Sequence, residues 1–233
     1  MSDRAAQKRA AAARAVALIE SGMRVGLGTG STAWHVVDLL GTRLQAGELR
    51  NITAVPTSRA TEEQARSLEI PVASLDQVTS LDLTIDGTDE VDPQLDLIKG
   101  LGGALLWEKI VAHASARFVI VADDSKEVDR LGARAPLPVE VVPFGWRTHL
   151  AVFEALGARP VLRVDDRNSA FVTDGEHYIV DLHFADGIDD AALVEAELRS
   201  RAGIVETGLF LDMADTVMIA TANGVRVRER SAA

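Results

Sequence analysis

The 233-residue chain contains no cysteine. That absence excludes a disulfide framework, a thiolate metal site and a cysteine nucleophile. Cations are also in short supply: 24 Lys and Arg stand against 35 Asp and Glu, a formal net charge of −11 at pH 7. Without a cationic excess to displace phosphate counterions, nucleic acid is not an expected partner. Apolar stretches are broken by Arg, Gly or Asp well before the roughly 18 residues a spanning helix requires, so no membrane partner is expected either. The 5 His residues show no ligand spacing and no calcium-type loop is present, which argues against a metal site. Internal repeats, linkers and low-complexity tracts are missing beyond an Ala-rich start.

What remains is an ordinary globular composition, 47% hydrophobic and 25% charged. The length suits one large domain or two unequal ones and buries about 70% of the extended-chain surface, enough for a core without staples. Arg4 to Ile19 lacks acidic residues and superficially suits a transit peptide. Asp3 and Glu20 bracket the segment, however, and Val16, Leu18 and Ile19 supply a packing face. A plain helix and a cytoplasmic location are the expectation.

Further along, Met23–Leu27 reads as a buried strand running into Gly28-Thr-Gly30, with Ser31 capping a helix to about Leu44. Ile52–Val55 is a second strand, and Ser58 opens the next helix. Leu81–Ile85 is a third strand, stopping at the acidic turn Asp86-Gly-Thr-Asp-Glu90. Lys99-Gly-Leu-Gly-Gly103 precedes a helix beginning near Ala104, and Phe118–Ala122 is a strongly apolar fourth strand. This alternation argues for a parallel sheet with ligands beyond the carboxyl ends of its strands. After about Leu131 the pattern changes. A strand at Val139–Val142, a helix from Trp146 to Leu156, a strand at Pro160–Val164, a hairpin turning at Asp174-Gly175 and a helix from Asp190 to Arg199 make a compact α+β unit. Thr216–Ala220 reads as a buried strand returning to the first sheet.

The Gly26-Leu-Gly28-Thr-Gly30-Ser-Thr32 loop lies between strand and helix, where free N–H groups and the helix dipole favour a phosphate; the plain alternative is a tight glycine turn. A Walker loop needs a Gly-Lys-Ser/Thr ending and the dinucleotide fingerprint a glycine one residue after Gly30, so neither nucleotide motif is met. Asp86 and Asp89 place two carboxylates at the strand-end rim, either for acid–base work on a hydroxyl or simply to bond nearby N–H groups in a turn. Taken alone, Glu108 reads as a solvated helix residue or as a carboxylate aimed back at the glycine-rich turn. In so acidic a chain an anionic substrate needs locally focused cations, for which Lys99, Lys126 and Lys8 are the candidates.

Together, Gly28-Thr-Gly-Ser-Thr32, Thr57-Ser-Arg59, Asp86-Gly-Thr-Asp-Glu90, Lys99-Gly-Leu-Gly102 with Glu108-Lys-Ile110, and Ala122-Asp-Asp-Ser-Lys126 closely resemble type A ribose-5-phosphate isomerases. The resemblance extends through Pro138-Val-Glu-Val to Gly203–Phe210, nearly the whole chain. It implies an α/β fold: a Rossmann-like, mostly parallel sheet domain, here residues 1–131 plus 208–233, with a smaller inserted ferredoxin-like α+β domain at 132–207. It also implies a homodimer or homotetramer, a sugar phosphate substrate and neither metal nor organic cofactor. Glu108 matches the family's proton acceptor, and Asp86, Asp89 and Lys99 its other catalytic polar residues. Thr29, Gly30, Ser31, Thr32, Gly87, Thr88, Gly100, Leu101, Gly102, Lys126 and Lys8 match substrate-binding positions. Leu101 stands where glycine is expected, Gly103 where alanine is usual, Trp107 where arginine is common and Thr88 where alanine is common. A side chain at Leu101 would crowd the loop's approach to the sugar. Amino-sugar phosphate deaminases and coenzyme A transferases share the fold type, and a sugar-phosphate sensor is a reading of a different class.

Overall fold

A computed structural model of the chain describes residues 3–230; positions 1–2 and 231–233, at the ends of the expected first domain, lie outside the described residues. Two compact units are present. The first holds residues through Thr88, Trp107–Lys126 and the residues from Met213 onward, and the second holds Asp89–Leu106 and Glu127–Asp212.

The first unit is built on a six-stranded sheet in the order Gly224–Glu229, Thr216–Thr221, Phe118–Asp123, Leu83–Asp86, Arg24–Leu27, Thr53–Pro56. All neighbours are parallel except the terminal hairpin pair. Numbered along the chain, the five parallel strands run 2-1-3-4-5, the flavodoxin-like arrangement. Its direction of winding reverses between the first and third strands, and the carboxyl ends of those two strands therefore flank a crevice suited to a ligand. Leu83–Asp86 and Phe118–Asp123 are buried at every residue, as parallel strands covered on both faces must be. Helices Asp3–Val16 and Ala33–Gln45 pack on one another and share a core of Ala11, Ala15, Val36, Val37 and Leu40 with the sheet residues Val25, Leu27 and Ile85. Each fully buried Val or Leu contributes roughly 1.5–3 kcal/mol. The amino-terminal helix is thus part of the core.

A four-stranded antiparallel sheet organises the second unit, in the order Ile204–Thr207, Leu137–Val141, Tyr178–Phe184, Ala158–Leu162. With helices Leu150–Ala155 and Ala191–Arg199 the chain order is βαββαβ, the ferredoxin-like motif. Leu137, Val139, Val141, Phe153, Val180, Leu182 and Leu198 form its core. Asp190 caps the second helix by accepting from Leu193 N at 2.9 Å.

Where the units meet along the chain, hydrogen bonding rather than chain order decides the grouping. Glu90–Val91 and Leu97–Ile98 pair with each other and with Leu209–Phe210, so these segments group with the second unit and not with the expected 1–131 and 208–233. Buried Glu90 reinforces this by accepting from Gly132 N, Arg134 N and Ala135 N at 2.6, 2.7 and 2.6 Å. The helix expected over Trp146–Leu156 begins as a 3-10 turn, Trp146–His149, and is α-helical only over Leu150–Ala155. At the hairpin expected to turn at Asp174-Gly175, the segment before the turn meets the strand Tyr178–Phe184 through one bridge, Val172 to Tyr178.

Candidate active site

The strand Arg24–Leu27 ends in the loop Gly28–Thr32, which enters the helix Ala33–Gln45. Beside it the strand Leu83–Asp86 ends on Asp86, which is fully buried. Asp86 Oδ1 accepts from Thr29 N at 3.1 Å and from Gly87 N at 2.7 Å, locking the loop to the neighbouring strand end. Gly28 is required here, since a β-carbon would stand 2.0 Å from Asp86 Oδ1. Gly30 has φ +109°, which a side chain strains.

Ser31 does not cap the helix as expected. The cap position is Thr32, which has helical dihedrals and no side-chain cap bond, and Ser31 Oγ instead accepts from Lys8 Nζ at 2.8 Å. Because Thr32 is already helical, its side chain cannot fold back onto the first turn. The N–H groups of Gly30, Ser31, Thr32 and Ala33 find no acceptor among the described residues. Four successive donors at a helix amino terminus, with Lys8 alongside, are an arrangement that favours an anion.

The Thr29 side chain ties the loop to the segment Thr57–Thr61. Its Oγ1 meets Thr57 Oγ1 at 2.8 Å, Ser58 Oγ at 2.8 Å and Thr61 Oγ1 at 3.1 Å, while Thr61 donates to Gly28 O at 3.0 Å. Ser58 also caps the helix Arg59–Ser67 by accepting from Thr61 N at 3.1 Å, as its sequence position predicted. This hydroxyl cluster fixes the loop from behind. Thr57 and Thr61 were not singled out for it, although Ser58 and Thr61 at cap and third helical position carry the local signal. Thr29, Gly30 and Ser31 line a cavity of about 520 Å³ with Trp34, Ala60, Thr61 and Gln64.

Glu108 lies in the first turn of the helix Leu105–His113, where the dipole favours a carboxylate, and is only 4% exposed. The solvated reading of this residue is therefore wrong. Lys126 closes the 3-10 turn Asp124–Lys126 after the strand Phe118–Asp123 and is half-buried.

In the second unit, Lys99 is 2% exposed, with Nζ 5.5 Å from the Phe210 ring centroid. Burying an ionisable group costs several kcal/mol unless it is compensated, and such groups concentrate at functional sites. Asp89 Oδ2 accepts from Leu101 N at 2.9 Å, so this carboxylate holds the Lys99–Gly103 turn. Thr88 is half-buried in the first unit and Gly102 is exposed in the second, as is the Leu101 side chain at 42%. Among the described residues no three His, Asp or Glu side chains cluster to hold a metal ion.

Fold and loop together define a Rossmann-like α/β protein with a glycine-rich turn at the switch point of its sheet and the buried carboxylate Asp86 at the neighbouring strand end. The chain belongs to the ribose 5-phosphate isomerase A (phosphoriboisomerase A) family, whose pattern it matches over residues 53–224. It is 51% identical over 218 residues to ribose-5-phosphate isomerase A of Roseiflexus castenholzii, covering 94% of this chain and 93% of that one. The Nitrobacter hamburgensis ribose-5-phosphate isomerase A is 50% identical over 231 residues, covering 97% and 98%. Among solved structures, a D-ribose-5-phosphate isomerase in complex with phospho-erythronic acid superposes with a TM-score of 0.95 at 40% identity, covering 98% of this chain and 100% of that one. The Plasmodium falciparum ribose 5-phosphate isomerase does so with 0.94 at 34% identity and the same coverage.

Proposed function

We propose that the chain interconverts D-ribose 5-phosphate and D-ribulose 5-phosphate through an enediolate, with Glu108 as the base, in the non-oxidative pentose phosphate pathway. The observation that carries this reading is the run of four N–H groups at Gly30–Ala33, without an acceptor among the described residues and beside Lys8, which suits a phosphate. Family membership supports the rest.

Once the furanose ring opens, the aldose carries a weakly acidic C–H at C2 beside the C1 carbonyl. Glu108 removes the C2 proton, the C–H electrons form the C1–C2 double bond, and the carbonyl oxygen takes the negative charge. The same carboxylate returns the proton to C1 while the hydroxyl proton on O2 passes to O1, leaving the ketose. Lys99 and N–H groups of the glycine-rich turns stabilise the oxyanion. Asp86 moves the proton in ring opening, and the Gly28–Thr32 loop with Lys8 and Lys126 holds the phosphate. The carboxylate and the donors suffice for these steps, so no metal or organic cofactor enters them. A cytoplasmic homodimer or homotetramer belongs to the same proposal.

The test is conversion of ribose 5-phosphate to ribulose 5-phosphate by metal-stripped protein. Turnover supports the isomerase. Tight binding of pentose phosphate without turnover identifies a sensor instead.

A further inference from the structure

We propose that Arg163 is a positioning residue that sets the peptide planes of the Lys99–Gly103 turn and thereby aims the Gly102 N–H as an oxyanion donor. The inference rests on the isomerase reading, in which that turn handles the substrate.

Arg163 follows the strand Ala158–Leu162 and is 62 residues from the turn in sequence. Its side chain is 13% exposed and forms a two-point pair with Asp181: Nε donates to Oδ2 at 2.9 Å and Nη2 donates to Oδ1. Asp181 lies opposite Val161, so the pair is a diagonal cross-strand contact on one sheet face. The guanidinium also lies 5.9 Å from the centroid of the Phe171 ring, which itself packs against Gly103. With the fork fixed on three sides, Nη1 is left to point at the turn, where it donates to Gly100 O at 2.8 Å and Leu101 O at 3.1 Å.

Those two carbonyls decide what the turn presents. In a planar trans peptide the C=O of one residue and the N–H of the next point in opposite directions. The Gly100–Leu101 peptide is gripped at both ends, its C=O by Arg163 and its N–H by Asp89 Oδ2 at 2.9 Å. In the Leu101–Gly102 peptide the C=O is drawn to Arg163, so the Gly102 N–H points away from the guanidinium. That N–H makes no hydrogen bond with any described residue, and Gly102 is exposed. A donor held rigidly and left unengaged is what stabilisation of developing charge requires. Leu101 is compatible with this, because the turn uses its two peptide groups and leaves its side chain exposed.

The experiment compares wild type, Arg163→Met and the double variant Arg163→Met/Asp181→Leu, which leaves no lone buried charge and tests the idea even if the single variant folds poorly. Removing an oxyanion donor costs about 100-fold to 1,000-fold in kcat. A misaimed donor is expected to lower kcat by about 30-fold or more, with KM for ribose 5-phosphate and inhibition by inorganic phosphate within about threefold. Inhibition by a phosphorylated four-carbon aldonate, whose carboxylate mimics the enediolate oxygens, should weaken in step with kcat. Arg163→Lys should not rescue, since one ammonium cannot hold Asp181 and both carbonyls. A kcat within threefold of wild type in both variants overturns the proposal, as does an equal loss of phosphate inhibition. Amide exchange at Leu101, read without turnover, should accelerate in the variants, and unchanged exchange also overturns it. If the wild type itself does not turn over but exchange accelerates, the function reading fails while the clamp stands.

Discussion

Gly28 and Asp86 approach so closely across adjacent parallel strands that a β-carbon on Gly28 would stand 2.0 Å from Asp86 Oδ1 and 2.5 Å from Asp86 Cα. The second contact is with backbone, which cannot swing aside. Gly28→Ala should therefore destabilise the fold by about 1–3 kcal/mol, the usual cost of overpacking. It should also displace Thr29 N from Asp86, raising KM for ribose 5-phosphate by tenfold or more. Chemical denaturation and steady-state kinetics on one preparation check both, and an unchanged KM would contradict the loop's assignment.

Lys8 reaches Ser31 from the first helix, in a chain carrying a net charge of −11. A half-buried cation of this kind acts by attracting and holding an anion, and salt screens it over a Debye length of about 8–10 Å. Lys8→Met should raise KM roughly 5–20-fold with kcat little changed, and the KM of the variant should depend less on ionic strength than that of the wild type. Equal salt dependence in the two proteins would remove Lys8 from phosphate binding.

Ser58 serves two structures at once, the cap of helix Arg59–Ser67 and the hydroxyl cluster behind Thr29. Ser58→Ala should lower stability by about 1 kcal/mol from the lost cap alone. Ser58→Asp restores a cap acceptor but supplies no hydroxyl proton to Thr61. Its stability should recover further than its KM, whereas parallel recovery of both would show that the cluster does not position the loop.

His149 gives the protein a stability profile in the acid range. Burial and the neighbouring Arg201 hold its pKa below the usual 6.5, with Arg201 Nε 3.5 Å from Nδ1. The unfolded chain therefore binds a proton that the folded chain refuses. Stability falls as pH drops through about 6.5 and levels off below the depressed folded value. His35 shifts in the same direction, so His149→Phe should make the slope shallower rather than abolish it. Urea midpoints between pH 5 and 8 measure this, and an unchanged slope would contradict it.

Much of the sheet domain was legible because its parallel strands are short apolar runs, three of which stop at Gly28, Asp86 or Asp123. Leu83–Asp86 and Phe118–Asp123 have no exposed face to blur the pattern. The strand Gly224–Glu229 was missed for the opposite reason: it is an edge strand with no buried residue. Glu108 was legible only through the company of other motifs, since nothing local distinguishes a buried helix carboxylate from a solvated one. Ser31 was misread because its hydroxyl answers to Lys8, 23 residues away, rather than to its own helix. Arg163 carries no local signal at all; its role arises from sheet register in the second unit.

The central claim is that Glu108 carries the proton between C1 and C2. Its most direct test is exchange of the C2 proton of ribose 5-phosphate with solvent deuterium, followed by NMR for wild type and Glu108→Gln, each shown to be folded and to bind inorganic phosphate. The account predicts exchange and isomerisation by the wild type and loss of both by about 1,000-fold or more in the variant, since the amide that replaces the carboxylate cannot accept the C2 proton. Undiminished exchange in Glu108→Gln would contradict it.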